Sequence, residues 1–163
     1  MKDNIDKESL LEFIVKAHKN TYAAPYEIKM QHRLETPFLP GHKCYYFKDG
    51  AFEYLDGYAG EEWAPGGEVV FYEHQPVWHM SYQGQTIEHL SKYLVDKTFE
   101  FLKRALRNVD ESMPFRGPLI FAQDNFEYFF NITGDYAYFK GRESIKHNGK
   151  EVFFQDVMGC LIK

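Results

Sequence analysis

The sequence has little of what marks a secreted, membrane-spanning or metal-binding protein. Only two of its 163 residues are cysteines, Cys44 and Cys160, and they form no CxxC pair that would indicate a redox or zinc site. No apolar run approaches the roughly 20 residues that cross a bilayer. The polar stretch 1–9 contains no apolar core of a signal peptide. We therefore expect a cytoplasmic protein with free thiols and no membrane partner.

Positive charge is scarce as well. The chain has 19 Lys and Arg residues against 24 Asp and Glu residues, for a net charge of −5. Proteins that bind nucleic acid usually present a basic stripe to the phosphates. The nearest approach to one, Lys103, Arg104 and Arg107, lies beside Glu100 on a predicted helix and is typical of a solvated helix face. The sequence predicts no direct contact with nucleic acid.

Aromatic residues, in contrast, are abundant. They make up 18% of the chain, with 15 Phe, 12 Tyr and 2 Trp. Burying one such side chain stabilises a fold by roughly 1.5–3 kcal/mol. A chain of this length is the size of one ordinary domain. We expect a single domain over 1–163 that folds without a metal or cofactor.

Hydrophobic spacing predicts two helices. Asp6 can cap the first, which runs to about Asn20. The second begins at Thr86 or Ser91 and reaches about Val109. Its apolar face follows helical spacing and comprises Leu90, Tyr93, Leu94, Thr98, Phe101, Leu102, Ala105 and Leu106. Between Tyr22 and His42 the prolines predict an ordered but irregular segment.

The remaining segments alternate as strands do. Asp49-Gly50 predicts a hairpin between 44–47 and 52–58, and a second hairpin joins 68–72 to 77–82, with Pro76 in its turn. Further strands are expected at 126–132, 136–140 and 151–158. The order predicts an α+β fold: a mostly antiparallel sheet of five or more strands, with an N-terminal helix and one long central helix packed on one face.

Aromatic side chains occupy both faces of these strands. Tyr128 and Phe130 share one face, whereas Phe129 lies on the other. A sheet with one wet face should be polar on that side. The second face is therefore expected to be covered by the segment 22–42, by a partner subunit or by a ligand, and we favour the segment.

Four stretches resemble a family of uncharacterised bacterial domains, some of which follow a helix-turn-helix of the xenobiotic-response type. They read FIVKAHKNTYAA, EVVFYEHQPVWHMSYQG, FLKRALRNVDESMPFRGP and GKEVFFQDVMGCLIK. The resemblance implies a fold but no reaction. His79 stands where the family commonly has glycine after PVW. The chain begins at the domain's own first helix, so a role in regulation is expected only by association.

Arg116 is the most distinctive candidate site residue. It lies in Pro114-Phe115-Arg116-Gly117-Pro118, where two prolines restrict the backbone. A guanidinium held there can clamp the carboxylate of a ligand bidentately. It can instead pair with an internal acid or cap the helix before it, and we favour that structural role.

Other candidate ligand-binding residues surround the predicted hairpins. Glu61 and Glu62 precede Trp63, an arrangement that can hold a cation beside an aromatic face. Trp78 and Tyr82 share a strand face, and His79 lies between them in sequence. The acidic residues around these hairpins are predicted to be exposed to solvent, namely Glu53, Asp56, Glu61, Glu62 and Glu68.

Three functions remain open at this point. We favour a non-enzymatic domain that binds a small ligand or a protein. An enzyme acting on a small metabolite would use His74 or His79 with Glu61, Glu62 or Asp56 as acid and base. A homodimerisation module would use the surplus aromatic surface of the sheet. No nucleophile motif and no HExxH occurs, so we predict neither a catalytic residue nor a metal ligand.

Overall fold

The computed structural model describes residues 5–163, and Met1–Asn4, part of the polar N-terminal stretch, lie outside the described residues. The helices of residues 5–163 are α1 (Lys7–Asn20), α2 (Tyr26–His32) and α3 (Lys92–Leu106). The strands in the same range are β1 (Lys43–Asp49), β2 (Phe52–Tyr58), β3 (Gly66–Tyr72), β4 (Gln75–Thr86), β5 (Ile120–Gln123), β6 (Phe126–Asp135), β7 (Tyr138–His147) and β8 (Lys150–Leu161). No helix in this range is long and apolar enough to cross a membrane.

The described strands form one antiparallel sheet in the order β1-β2-β3-β4-β8-β7-β6-β5. Strands β1 to β4 form one meander, and β5 to β8 form a second. Pairing of β4 with β8 joins the two, with Tyr82 opposite Val157. Helix α3 lies in the connection between β4 and β5. The predicted α+β fold with an antiparallel sheet of five or more strands is confirmed.

Two tight turns set the register of neighbouring hairpins. Glu73 and His74 both have positive φ, at 48° and 63°, and join β3 to β4. Asn148 and Gly149 do the same between β7 and β8, at 50° and 76°. Two-residue turns of this hand match the twist of paired strands. Pro76 is not in the turn as predicted but is the second residue of β4, where pairing with β8 has not yet begun.

The helices differ from prediction in length and number. Asp6 caps α1 as expected, since its carboxylate accepts from the Ser9 amide at 2.9 Å. Ser91 caps α3, but α3 has only 15 residues and ends before Val109, so it is shorter than the predicted long helix. The segment predicted to be irregular contains the seven-residue helix α2.

The C-terminal meander is also longer than predicted. The turn between β6 and β7 lies at 136–137, where the Ala137 amide donates to Asp135 Oδ1 at 2.9 Å. Tyr136 therefore belongs to a turn and not to a strand. Strand β5 and the second half of β7 were not predicted, because neither carries a regular apolar alternation.

The two faces of the sheet have different surroundings. We call the face that carries Tyr54, Trp78 and Phe139 the inner face, and all three are buried there. Both long helices pack against it: Phe13 of α1 stacks on Phe52 at 4.9 Å, and Phe101 of α3 on Phe126 at 5.1 Å. The core therefore lies between this face and the helices.

The opposite, outer face is largely open. Tyr138 is 58% exposed and Met158 is 50% exposed. The segment 22–42 reaches this face only at one corner, where Phe38 lies beside Leu55 and Phe71. The segment thus covers a small part of the face that we expected it to shield.

Candidate functional site

The segment Pro114–Gly117 carries an arginine into the core. All four residues are buried, and Phe115 stacks on Phe139 of the inner face with 4.2 Å between ring centroids. The Phe115 ring anchors the segment, so the next side chain, Arg116, extends along the same face with only 7% of its surface exposed. A charge so buried requires partners of opposite sign.

Two carboxylates supply that pairing. Arg116 donates from Nε to Glu143 Oε2 at 3.1 Å and from Nη1 to Glu68 Oε1 at 3.3 Å. Its guanidinium also lies 5.4 Å from the centroid of the Tyr82 ring. Burial by itself lowers the pKa of Arg116, but the charges of Glu143 and Glu68 outweigh burial and raise it. Arg116 is therefore a permanent buried cation.

Glu143 lies at the centre of three neighbouring strands. It is fully buried on β7. From β6 the Tyr128 hydroxyl donates to its Oε1, and from β8 the Gln155 amide donates to its Oε2 at 2.6 Å. With Arg116 as the third donor, this carboxylate has the hydrogen bonds that a buried charge needs.

Glu68 connects the sheet to the first helix. His18 of α1 places its Nε2 2.7 Å from Glu68 Oε2, and both side chains are buried. Burial tends to raise the pKa of Glu68, but the nearby His18 and Arg116 overcome this and lower it. Glu68 thus serves as a carboxylate shared by a helix, a strand and Arg116.

Asp56 is the third buried carboxyl. It lies directly opposite Glu68 across β2 and β3, and the Tyr82 hydroxyl donates to its Oδ1 at 2.6 Å. Tyr82 can reach across β3 because its partner there is Gly66, where a Cβ atom would lie 2.5 Å from the tyrosine ring. Burial and the charge of Glu68 raise the pKa of Asp56 to about 8.

We call this group of side chains the Arg116 cluster. It consists of His18, Asp56, Glu68, Tyr82, Arg116, Tyr128, Glu143 and Gln155. Three carboxyl groups face one guanidinium and one imidazole. Apolar residues can often replace a buried ionic network without loss of stability. A cluster of buried ionisable groups with shifted pKa values is therefore the candidate functional site of this domain.

A small cavity adjoins the cluster. It measures about 30 Å³, enough to admit a water molecule. Its lining consists of Tyr22, Asp56, Tyr58, Ala64, Tyr82, Phe99, Leu102, Arg116, Phe153 and Gln155. A second space of about 20 Å³ lies on the His18 side and shares Tyr22 and Arg116 with the first. Among residues 5–163, no three His, Cys, Asp or Glu side chains are placed to hold a metal ion.

A wider surface pocket, which we call the rim, adjoins the cavity. The rim has a volume of about 290 Å³ and shares Tyr22, Tyr58, Ala64 and Phe99 with the cavity. Its remaining lining residues are Lys29, Lys43, Gly60, Glu61, Glu62, Lys92, Val95, Asp96 and Lys103. The rim and the cavity are therefore neighbours that have these four residues as a common, mostly aromatic wall.

The structure brings together some of the site residues predicted from sequence and separates others. Arg116 and Tyr82 line the cavity together, and Glu61 and Glu62 lie at the rim. Arg116 has the burial and the internal acidic partners that its structural role requires.

The other three predicted residues lie elsewhere. Trp63 is 56% exposed and bridges to Gln85 through its backbone. Trp78 is fully buried in the core, where its ring lies nearly parallel to those of Phe115 and Phe139 at 6.4 and 6.0 Å, and His79 lies on the outer face. None of the three lines the cavity.

The acidic residues of the hairpins divide into two groups. Asp56 and Glu68 are buried and Glu53 is largely shielded, which corrects the prediction that all five are solvated, whereas Glu61 and Glu62 are exposed as expected. The distinction is visible only in the strand register, because alternation puts Asp56 on the same face as the buried Tyr54.

Sequence reasoning missed His18, Glu143, Tyr128 and Gln155 as site residues. His18 follows the apolar spacing of α1, and Glu143 lies on the same face of β7 as the buried Phe139 and Ile145. A charged or polar residue within an apolar pattern was the available signal.

Comparisons with known proteins identify a family without assigning a function. No curated protein and no solved structure matches the chain. A family model described as a domain of unknown function, DUF5680, matches residues 56–162. The match includes most of the Arg116 cluster but neither His18 nor Tyr22 of the cavity wall. It confirms the resemblance to an uncharacterised domain seen in the sequence: the chain belongs to the DUF5680 family.

Proposed function

We propose that this domain binds a small molecule through a positively charged amine, held in the cavity beside Asp56. The proposal makes the favoured small-ligand function specific. The observation that carries it is a buried carboxyl group that faces a cavity and has no cation of its own. Asp56 is 2% exposed, and its side chain accepts a hydrogen bond from Tyr82 alone within residues 5–163.

The charges of the Arg116 cluster favour a cation in this position. Arg116 is engaged by Glu143 and Glu68, and His18 is engaged by Glu68. Asp56 is thus the surplus acid: burial and the charge of Glu68 raise its pKa, and the attraction of Arg116 does not offset them. An ammonium group beside Asp56 would supply that charge and allow the carboxyl to ionise.

The walls of the cavity suit the same group. The Tyr22 and Tyr58 rings meet nearly at right angles, at 87°, with 5.6 Å between centroids. Tyr82, Phe99 and Phe153 complete the aromatic lining. Aromatic faces attract ammonium groups electrostatically, and the attraction grows when water is excluded. One carboxyl group within such a lining distinguishes a cation from a neutral molecule of equal size.

The alternatives have weaker support. For a carboxylate ligand clamped by Arg116, two of the guanidinium nitrogens already donate to internal acids. For an enzyme, His74 bonds Glu53 at 2.6 Å on the outer side of the sheet, remote from the lining of the cavity. For a homodimer, no described contact indicates which part of the outer face a second copy would cover.

An NMR titration with ethylammonium chloride tests the proposal. Ethylammonium should shift the amide resonances of the cavity lining, and ethanol, which has the same size and no charge, should bind at least about tenfold more weakly. Because binding ionises Asp56, affinity should rise by up to about tenfold per pH unit between pH 6 and 8.

Asp56→Asn is the matched variant, since it keeps the shape and removes the ionisable group. We expect ethylammonium to bind Asp56→Asn at least about tenfold more weakly than wild type. Equal affinity for ethylammonium and ethanol, or an unchanged affinity in Asp56→Asn, would contradict an amine site at Asp56.

A further inference from the structure

Three lysines converge on the rim without acidic partners. Lys29 of α2, Lys43 of β1 and Lys103 of α3 all line it, each is half-buried, and none forms a salt bridge within residues 5–163. The Lys43 ammonium lies 5.6 Å from the centroid of the Tyr58 ring, which lines both the rim and the cavity. We call these three side chains the rim lysines.

The rim lysines repel one another. Burial lowers the pKa of Lys29, and the charges of Lys103, Arg33, Arg107 and Lys43 lower it further. Burial also lowers the pKa of Lys103, with Glu100 opposing the effect and Arg107 adding to it. An anion that joins these like charges would stabilise their charged forms.

Lys92 also lines the rim, but it differs from the rim lysines because it has an acidic partner. Its ammonium lies 3.0 Å from Asp96 Oδ1. Hydrogen bonding to Asp96 raises the pKa of Lys92, and Glu61 and Glu62 contribute in the same direction. The rim thus has an acidic part around Lys92 and a basic part formed by the rim lysines.

We infer that the ligand is a short aminoalkyl phosphate whose amine enters the cavity and whose phosphate remains at the rim lysines. This inference rests on the proposed amine site at Asp56. The cavity and the rim share Tyr22, Tyr58, Ala64 and Phe99, so one small molecule can occupy both. Three cations from three elements match a phosphate, which carries a charge of about −1.5 to −2 and three acceptor oxygens, better than a carboxylate.

Isothermal titration calorimetry with four probes tests the inference. They are 2-aminoethyl phosphate, ethylammonium, methyl phosphate and 3-aminopropanoate, which differ in the presence of the amine and in the kind of anion. We expect 2-aminoethyl phosphate to bind at least tenfold more tightly than ethylammonium and more tightly than the other two. The difference should shrink at high salt, because an exposed rim is screened.

Matched lysine variants locate the phosphate. Lys43→Met and Lys103→Met keep the aliphatic stem and remove the charge, and each should reduce the advantage of 2-aminoethyl phosphate over ethylammonium at least threefold. Lys92→Met, on the paired part of the rim, should leave that advantage unchanged. A loss that is equal in all three variants overturns the assignment to the rim lysines.

The remaining outcomes separate the two proposals. If ethylammonium binds but 2-aminoethyl phosphate binds no more tightly, the phosphate inference falls and the amine site stands. If methyl phosphate binds and ethylammonium does not, both fall. The phosphodiester glycerophosphoethanolamine distinguishes two sources of the ligand. Binding equal to that of 2-aminoethyl phosphate indicates a lipid-derived headgroup, and weaker binding indicates a free phosphate monoester. Either result supports a ligand that carries both an amine and a phosphate.

Discussion

Arg116 and Arg142 make similar contacts on opposite faces of the sheet. Arg116 pairs with Glu143 and Glu68 and lies over Tyr82 on the inner face. On the outer face, Arg142 bonds both carboxylate oxygens of Asp156, at 3.1 and 3.2 Å, and lies 4.1 Å from the centroid of the Phe154 ring.

The contacts of Arg142 and those of Glu143 with Arg116 begin at adjacent residues of β7. Arg142 lies opposite Asp156, and the next residue, Glu143, lies opposite Gln155. The side chain of Arg142 is 46% exposed, whereas that of Arg116 is 8% exposed. Water can replace a lost partner only on the outer face. Removing Arg116 should therefore lower the free energy of unfolding much more than removing Arg142, although the two arginines make similar contacts.

The largest expected effect is that of Arg116→Ala. Removing the guanidinium leaves Glu143 and Glu68 buried without their cation, and breaking such a pair costs about 3–5 kcal/mol. Urea unfolding followed by circular dichroism should show this loss in the free energy of unfolding. If Arg116→Ala does not fold, Arg116→Lys replaces it, since lysine keeps the charge but loses the planar fork. A loss below about 1 kcal/mol in both variants would show that the buried network adds nothing to stability.

The second effect is a pH dependence confined to the inner face. The pKa of Asp56 is about 8 in the folded protein and roughly 3.9 in an unfolded chain. Between these values the folded state holds a proton that the unfolded state has lost. The free energy of unfolding should therefore fall as pH rises from about 4 to about 8, by at most about 1.4 kcal/mol per unit.

Asp56→Asn isolates this group. The variant should lose the decline between about pH 5 and 8 and should be more stable than wild type near pH 8. Glu68 acts in another window: its lowered pKa adds stability that is lost only as the pH falls into the acidic range. Urea unfolding at several pH values measures both effects, and an identical slope in wild type and Asp56→Asn rules out Asp56 as the cause.

The smallest expected effect is that of Arg142→Ala. Its partners are exposed and become hydrated when the guanidinium is removed, so the loss should stay below about 1 kcal/mol. The same urea experiment applies, with Arg116→Ala as the reference. A loss as large as that of Arg116→Ala would mean that the outer face is shielded from water, as it would be in a homodimer.

Much of the fold follows from local patterns in the sequence. Asp6 and Ser91 cap the helices where such residues are expected, and Asn148-Gly149 forms the turn that it favours. The first hairpin turns at Gly50 and Ala51, one residue later than the Asp49-Gly50 pair predicts. The errors fall where local preference is weak. Helix α2, with no buried residue, and strand β5, with four residues at the sheet edge, have little apolar pattern to reveal them.

The candidate site was predicted only in part. The two prolines around Arg116 identified a constrained arginine, and internal pairing was favoured because arginines commonly pair with acids inside proteins. Its partners could not be named, because Glu68 and Glu143 lie 48 and 27 residues away in sequence. Alternation assigns a side chain to a face, but it does not say which face becomes the core.

The sequence by itself determined the class of fold, the positions of most strands and the aromatic character of both faces, because these depend on spacing within a few residues. Only the tertiary structure decided that Asp56 and Glu68 meet across β2 and β3, that His18 reaches Glu68 from α1, and that Arg116 pairs with both Glu68 and Glu143. Burial is a property of the assembled layers. An acidic residue in a hairpin has the same local sequence signal whether water or a guanidinium will surround it, and its pKa and its partners follow from that surrounding alone.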